Sequence, residues 1–173
     1  MAGAMRKRFK AGNVRGFTMI EIVAVLVVVA VIAAIAINRA MSTASATRVA
    51  QESVIKNHIR YAQAAAMKQG AMWGIKCDGT DYWLFITNAP DTVINQRPLP
   101  GESDVKINLA NKNITANAFT VFFDANGRPY TAYTNAVTNT PVSAANPLSI
   151  TVDSIPASSA VTIGITPETG FMP

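Results

Sequence analysis

The sequence predicts an α+β fold in which a long N-terminal α-helix, first transmembrane and then amphipathic, packs on a C-terminal antiparallel β-sheet domain. An uninterrupted apolar run extends from Phe17 to Ile37, and the next glycine or proline after its start is Gly70. Beyond Gly70, short segments of alternating apolar and polar residues are separated by turn residues. With 173 residues, half of them apolar, the chain is long enough for one domain and too apolar to be disordered.

The net charge of +5 is located entirely in residues 1–16. That segment holds five basic residues and no acidic one, whereas residues 17–173 hold ten of each. The basic residues precede the apolar run directly, and only Arg39 and Arg48 follow soon after it. This asymmetry predicts an N-terminus that stays in the cytoplasm and a C-terminal domain that is exported.

The apolar run from Phe17 to Ile37 predicts a membrane span, because its 21 residues form a helix of ~31 Å. Glu21 is its single charged residue. A secretory signal peptide would share the basic start and the apolar run. In that alternative, cleavage after Ala46, at the sequence Ala44-Ser45-Ala46, releases a soluble domain that begins at Thr47.

Glu21 separates the two alternatives, because a carboxylate within an apolar helix is costly without a partner or a function. A free amine at Phe17 would be such a partner. The string RGFTMIE, from Arg15 to Glu21, resembles the recognition site of type IV prepilins and type II secretion pseudopilins. The resemblance implies cleavage between Gly16 and Phe17 by a prepilin peptidase and N-methylation of Phe17. It also implies that Glu21 pairs with the N-terminal amine of a neighbouring subunit and so sets the register of assembly.

The organisation predicted from these features has three parts: a basic leader at residues 1–16, a helix at 17–69 that is transmembrane at 17–37, and an exported β domain at 70–173. The helix becomes amphipathic beyond Asn38. We expect its apolar stripe to pack on the sheet and its charged stripe to face solvent or neighbouring subunits. The apolar stripe comprises Ile55, Ile59, Ala62 and Ala66, and the charged stripe Arg48, Glu52, Lys56 and Arg60.

The exported domain is predicted to be one antiparallel sheet of about six or seven strands. Turns are expected at Asp78–Asp81 and at Asp124–Pro129, where Asn-Gly is a strong hairpin signal. Two longer loops are expected around Pro90 to Gly101 and Asn135 to Pro147. The predicted strands are the runs MWGIKC, YWLFIT, KINLA, VFF, YTAY, LSITV and VTIGI, whose aromatic residues Trp73, Tyr82, Trp83, Phe85, Phe122 and Phe123 should fill a core.

Within the pilin-like group, three segments resemble GspH/FimT minor pseudopilins and minor pilins: IRYAQAAAMKQGAMWGIKC, FDANGRP and VTIGITPETG. Two departures stand out. Asn38 occupies a place where many pilins carry a proline that perturbs the helix. The ending Phe171-Met172-Pro173 lacks the arginine that DNA-binding FimT-like members carry in this region.

The resemblance implies a structural, non-enzymatic filament subunit, a minor pilin or pseudopilin of a type IV pilus or type II secretion system. Its partners would be a prepilin peptidase, other pilin or pseudopilin subunits and an inner-membrane assembly platform. It would be a single-pass inner-membrane protein until its exported domain, periplasmic or in an extracellular filament, is assembled. No cofactor is predicted.

Two other functions compete with this prediction. A DNA-uptake minor pilin needs clustered basic residues, yet residues 69–173 carry five basic against eight acidic residues, a net charge of −3. A nucleic-acid partner is therefore not predicted. A released enzyme would have few candidate residues, namely His58 on the helix and Asp78, Asp81 and Asp124 in turns. Neither a catalytic residue nor a metal site is predicted, and the lone Cys77 is expected to be a buried thiol.

Overall fold

The computed structural model describes residues 17–157 and 159–173. Helix α1 spans Met19–Gln69, so the predicted long helix is confirmed with a start two residues later than Phe17. Gly70 follows it with a left-handed φ of 61°, the conformation in which glycine commonly ends helices. The chain divides after Arg39 into two compact units. The first contains the apolar start of α1, and the second comprises residues 40–173.

The second unit contains all the strands of the described residues. The strands are short. Two turns of 3₁₀ helix lie in the connections between them, at Val93–Asn95 and Ala110–Lys112. The strands are β1 (Trp73–Cys77), β2 (Asp81–Ile86), β3 (Gln96–Arg97), β4 (Lys106–Asn108), β5 (Ile114–Ala116), β6 (Phe119–Phe123), β7 (Pro129–Tyr133), β8 (Asn139–Pro141), β9 (Leu148–Ser154) and β10 (Val161–Ile165).

These strands form two antiparallel sheets. The first has the order β3-β2-β1-β6-β7-β8, with β4 also paired to β2, and the second has the order β10-β9-β5. Strand β1 lies at the centre of the first sheet, where Gly74 faces Phe85 of β2 and Phe122 of β6. The prediction of α+β architecture is thus confirmed, and the prediction of one sheet is wrong.

The main apolar core of the second unit joins the amphipathic part of α1 to both sheets. The predicted apolar stripe of the helix is buried, as expected, and belongs to this core. Each fully buried aliphatic side chain of this kind contributes ~1.5–3 kcal/mol relative to an exposed one. Representative members are Ile55, Ile59 and Ala66 from the helix, Ile75, Leu84, Val121 and Phe123 from the first sheet, and Ile150 and Ile163 from the second.

A smaller aromatic cluster covers the other face of the first sheet. Trp83 and Phe85 belong to it, while their neighbours Tyr82 and Leu84 point into the main core, as the period of two along a strand requires. The loop after β2 closes over this face, because the Trp83 indole N–H donates to the Pro90 carbonyl oxygen at 2.8 Å. All six aromatic residues predicted to fill a core are buried.

One charged residue is not where the sequence predicted it. Arg48 was expected in the stripe that faces solvent or neighbouring subunits, but only 9% of it is exposed. It lies four residues after the buried Ala44 and seven before the buried Ile55, so it falls on the core-facing stripe of the helix. Glu52 and Lys56 are partly exposed and paired with each other at 3.1 Å.

Candidate processing and assembly site

The start of α1 is fixed by Thr18. The Thr18 hydroxyl oxygen accepts a hydrogen bond from the Glu21 backbone N–H at 3.3 Å, and the Thr18 carbonyl oxygen accepts from the Glu21 and Ile22 N–H groups at 3.1 and 3.2 Å. Thr18 is therefore the N-cap, and Glu21 occupies the third helical position, the spacing of a capping box. Phe17 and Ile22 occupy the two positions of a hydrophobic staple. The helix thus begins two residues after Phe17, the residue predicted to become the new N-terminus.

Glu21 lies on the exposed apolar surface of this first unit. One groove of about 250 Å³ lies beside it, lined by Phe17, Ile22, Val25 and Leu26 as well as Glu21. A second, of about 270 Å³, adjoins it along the helix. Within the described residues, no lysine or arginine forms an ion pair with the Glu21 carboxylate.

The surface around Glu21 is almost wholly apolar. In the part of the chain that the structure describes, Met19–Ile37 is the one helical segment long and apolar enough to cross a membrane. Its large side chains are at least half exposed within the unit, among them Ile22, Leu26 and Ile32. A contiguous apolar surface of this size marks a region that contacts lipid or other proteins. The predicted Gly16 lies outside the described residues.

His58 is a buried structural residue. The Tyr82 hydroxyl donates to its Nδ1 at 3.1 Å, and its Nε2–H donates to the Pro100 carbonyl oxygen at 3.2 Å. Burial lowers the pKa of His58 below its ordinary value, so the ring is held neutral. The same burial raises the pKa of Tyr82. Both ring nitrogens are engaged, which leaves neither available to act as a general base.

Two of the three aspartates considered for catalysis stabilise turns, and the third, Asp81, accepts a hydrogen bond from the Asn108 side-chain amide at 2.9 Å. The Asp78 carboxylate accepts the backbone N–H groups of Thr80 and Asp81, both at 2.8 Å, and these hydrogen bonds lower its pKa. Asp124 accepts those of Asn126 and Arg128, both at 2.9 Å. No group of three or more potential metal ligands occurs among residues 17–157 and 159–173.

The predicted buried thiol is confirmed. Only 2% of Cys77 is exposed, and burial raises its pKa. A protonated thiol without access to solvent is a poor nucleophile and a poor metal ligand. Cys77 therefore fills space in the core beside β2.

Sequence reasoning missed two polar residues with structural roles. Thr18 could have been found, because Thr-x-x-Glu before an apolar run is the sequence signature of a capping box. Gln63 had no such signal. Its side-chain amide donates to the Gly127 carbonyl oxygen at 2.9 Å and to the Thr169 carbonyl oxygen at 2.7 Å, which ties a hairpin turn and the C-terminal segment to α1.

Comparison with known proteins bears on the same N-terminal region. The family model of the prokaryotic N-terminal methylation motif matches residues 12–37, which include Gly16, Phe17, Glu21 and the apolar run. No curated protein and no solved structure matches the chain. The motif and the apolar helix indicate a structural protein that carries a prepilin-type signal and is anchored in a membrane.

The match supports, more particularly, a type IV pilin-like or pseudopilin subunit. A motif of this kind implies processing by a prepilin peptidase and assembly with other pilins.

Proposed function

We propose that the chain is a minor pilin or pseudopilin, a structural subunit of a type IV pilus or type II secretion filament that assembles through its N-terminal hydrophobic helix. Residues 1–16 form the leader that is removed, residues 17–69 the retained helix, and residues 70–173 the exported domain. The unassembled subunit is held in the inner membrane with its N-terminus in the cytoplasm. The observation that carries the proposal is a methylation motif whose Glu21 has no countercharge within the described residues.

The proposed role of Glu21 follows from the cost of an unpaired charge among apolar groups. Cleavage after Gly16 creates an α-amine on Phe17, which is then methylated and stays cationic. When apolar helices pack in a filament, the Glu21 carboxylate is removed from water and must find a partner. The Phe17 amine of a neighbouring subunit is such a partner at one register only. A subunit docked in register is therefore favoured over one that is displaced along the axis.

The second unit supports retention of the helix over cleavage after Ala46. Helix α1 continues without a break through residues 44–46, and only 6% of Ala44 is exposed. Cleavage after Ala46 would remove Ala44 and the turn around it from the packed unit. The exported part begins, in this account, as an extension of the same helix that crosses the membrane.

A minor role in a filament fits the exported domain better than DNA capture. Three of the five basic residues at positions 69–173 are engaged in ion pairs: Lys76 with Asp91 at 2.7 Å, Lys112 with Glu102 at 2.8 Å, and Arg128 with Glu168 at 2.5 Å. Each of these pairs reduces the charge that a phosphate backbone would meet. The lone buried Cys77 also cannot close the C-terminal disulfide loop that many major pilins carry.

Substitution of Glu21 tests the proposal. In the native host, Glu21→Val should be processed to the same N-terminus as the wild type but should enter filaments at a strongly reduced level, because no charge fixes its register. Glu52→Gln is the matched control, since it removes an acid from the same helix within the second unit. Incorporation of Glu21→Val at the wild-type level would contradict the role of Glu21.

A further inference from the structure

Strand β10 leaves one edge of the second sheet without a partner strand. The order of that sheet is β10-β9-β5, so β10 pairs with β9 on one side only. The pairing is regular and antiparallel over the whole strand, from Val161 opposite Val152 to Ile165 opposite Leu148. The backbone groups on the other side of β10 therefore lie at a free edge.

The hydrogen bonds of β9 show which of its residues bond toward β10, because the backbone groups of a strand point alternately to its two neighbours. The Thr151 carbonyl oxygen accepts from the Asn117 N–H at 3.2 Å, and the Ile155 N–H, just past the strand, donates to the Asn113 carbonyl oxygen at 2.8 Å. Positions 151 and 155 thus bond toward β5, together with the odd-numbered position between them. The even-numbered positions of β9 bond toward β10.

The same alternation identifies the groups at the free edge. The even-numbered positions of β9 lie opposite Val161, Ile163 and Ile165, so the backbone groups of these three residues face β9. Those of Thr162 and Gly164 point outward. Both residues are exposed, and their outward groups have no hydrogen-bond partner among the described residues. Two N–H donors and two carbonyl acceptors, repeated every ~6.7 Å along the strand, are thus left to solvent.

The chain itself closes one end of this edge. One residue past β10, the Thr166 N–H donates to the Phe171 carbonyl oxygen at 2.8 Å, and the Thr166 carbonyl oxygen accepts from the Gly170 N–H at 2.9 Å. The free groups are therefore confined to β10 itself. A Cβ atom at Gly164 would have no neighbour within 4 Å, so the exposed face beside the edge is open as well.

The other sheet edges within the described residues are short or blocked. Strand β3 has two residues and β5 three, and the Ile114 N–H of β5 donates to the Leu109 carbonyl oxygen at 3.2 Å. Strand β4 begins with Lys106 and β8 ends with Pro141, and lysine and proline are residues that proteins place on edges to prevent pairing. Strand β10 has five residues, with no charge and no proline among them. It is the edge most open to a further strand.

We propose that the free edge of β10 binds an extended, uncharged segment of a neighbouring filament subunit, which adds a fourth strand to the three-stranded sheet. The outward donors and acceptors have the spacing of an extended backbone, which is how strand addition gives affinity. Charge complementarity selects the segment: residues 154–167 carry no charged side chain, so an uncharged segment can pair there without removing an ion from water. That the partner is a filament subunit rests on the proposed function, whereas the strand pairing does not.

The test uses the full chain in maltoside micelles and a peptide with the sequence of residues 159–167, SAVTIGITP, as the extended segment. Main-chain contacts depend little on side chains, so this peptide represents the class. Amide hydrogen exchange is followed by NMR. Without peptide, Thr162 and Gly164 should exchange at least ~10-fold faster than Ile163 and Ile165, whose N–H groups face β9. Added peptide should slow exchange at Thr162 and Gly164 by ~10-fold or more and leave the other two unchanged.

Thr162→Pro removes one outward donor. The Thr162 N–H takes no part in the pairing with β9, and proline is tolerated on an edge whose N–H faces solvent, so the sheet should remain. We expect this variant to bind the peptide at least ~5-fold more weakly, through the loss of one hydrogen bond. Thr162→Ala is the matched control, because it shortens the same side chain and retains the N–H. Its affinity should stay within about twofold of the wild type.

A second peptide makes the test independent of how the variants fold. It has proline in place of both Thr162 and Ile163, so it lacks N–H donors on both of its edges. It carries the same charge as the first peptide. We expect it to leave the exchange of Thr162 and Gly164 in the wild-type chain unchanged.

Each outcome decides the proposal. Slowing of Thr162 and Gly164 by the first peptide alone supports it. Slow exchange without peptide that strengthens with protein concentration and is lost in Thr162→Pro also supports it, and identifies a second copy of this chain as the neighbouring subunit.

Four results would overturn the proposal: slow exchange at both residues at every protein concentration, no effect of the first peptide, equal effects of the two peptides, or equal peptide affinity of folded Thr162→Pro and Thr162→Ala. None of these results depends on filament assembly, so failure here leaves the proposed function standing. Failure of the proposed function would in turn leave the strand pairing standing and remove only the assignment of the partner.

Discussion

Among the glycines that the structure describes, Gly74 is the one where an added methyl group would meet the closest neighbours. It lies in the central strand of the first sheet, and a Cβ atom built there would be 2.3 Å from the Val121 carbonyl oxygen and 2.4 Å from Cζ of the Phe85 ring. The carbonyl belongs to the neighbouring strand β6. The ring is fully buried and packs edge-on against Phe122 at 5.1 Å between centroids. Neither neighbour can retreat without moving the sheet or the aromatic cluster.

The cost of Gly74→Ala can be estimated from these contacts. Overpacking of a well-packed core costs ~1–3 kcal/mol, and the lower entropy of an unfolded chain with alanine returns ~0.5–1 kcal/mol. Because two contacts are far below 3 Å, the overpacking cost lies in the upper part of that range, at about 2–3 kcal/mol, and we expect a net loss of about 1–2.5 kcal/mol in the free energy of unfolding. For a unit of this size, that loss corresponds to a melting temperature lower by ~2–10 °C.

Gly164→Ala is the matched control for this prediction. Gly164 also lies in a strand, β10, but a Cβ atom there would have no neighbour within 4 Å. The same substitution should be neutral or stabilising by up to ~1 kcal/mol. Denaturation of the full chain in micelles, followed by the fluorescence of Trp73 and Trp83, measures both variants. Equal stabilities of the two variants would refute the packing argument around Gly74.

Two further predictions concern buried polar contacts. Burial lowers the pKa of His58 in the folded chain, so as the pH falls the imidazole is protonated in the unfolded chain before it is protonated in the folded one. The stability that neutral His58 contributes is therefore present above pH ~6.5 and is lost as the pH falls toward the lower pKa of the folded state. His58→Gln should therefore lose less stability than the wild type between pH 7 and pH 5 in parallel denaturation curves, and identical pH slopes would count against this reasoning. Gln63→Ala removes two hydrogen bonds and should cost ~1–3 kcal/mol, with faster amide exchange at Thr169 and Gly170. Gln69→Ala, at the exposed end of the same helix, is the control for Gln63→Ala. Comparable losses of unfolding free energy in both variants would show that the two Gln63 hydrogen bonds contribute little.

The sequence predicted the features of the fold that repeat over many residues. The helix could be predicted because its apolar run and the absence of glycine and proline up to Gly70 extend over about fifty positions. The seven predicted strands correspond to β1, β2, β4, β6, β7, β9 and β10, which lie in apolar or alternating runs bounded by turn residues. The sequence gives no comparable signal for β3, β5 and β8, which have two or three residues, because alternation needs about four residues to be recognised. Two sheets were predicted as one because the division depends on which strands pair, with β9 bonded to β10 and β5 and not to the first sheet, and the pairing of distant segments leaves no periodic signal in the sequence.

The candidate sites differ in the same way. Gly16, Phe17 and Glu21 stand in a contiguous motif, so their proposed roles could be formulated from the sequence alone. Gln63 acts through contacts with segments distant in the chain. Arg48 was assigned to the wrong face, because a charge at i+4 spacing predicts an exposed stripe unless tertiary packing buries it.

The measurement that tests the central claim most directly is the intact mass and N-terminal sequence of the protein purified from its own membranes. The account predicts a chain that begins at Phe17 and carries one additional methyl group on its N-terminal amine. A chain that begins at Thr47 would contradict it, because the apolar helix would then be discarded and Glu21 could have no part in assembly.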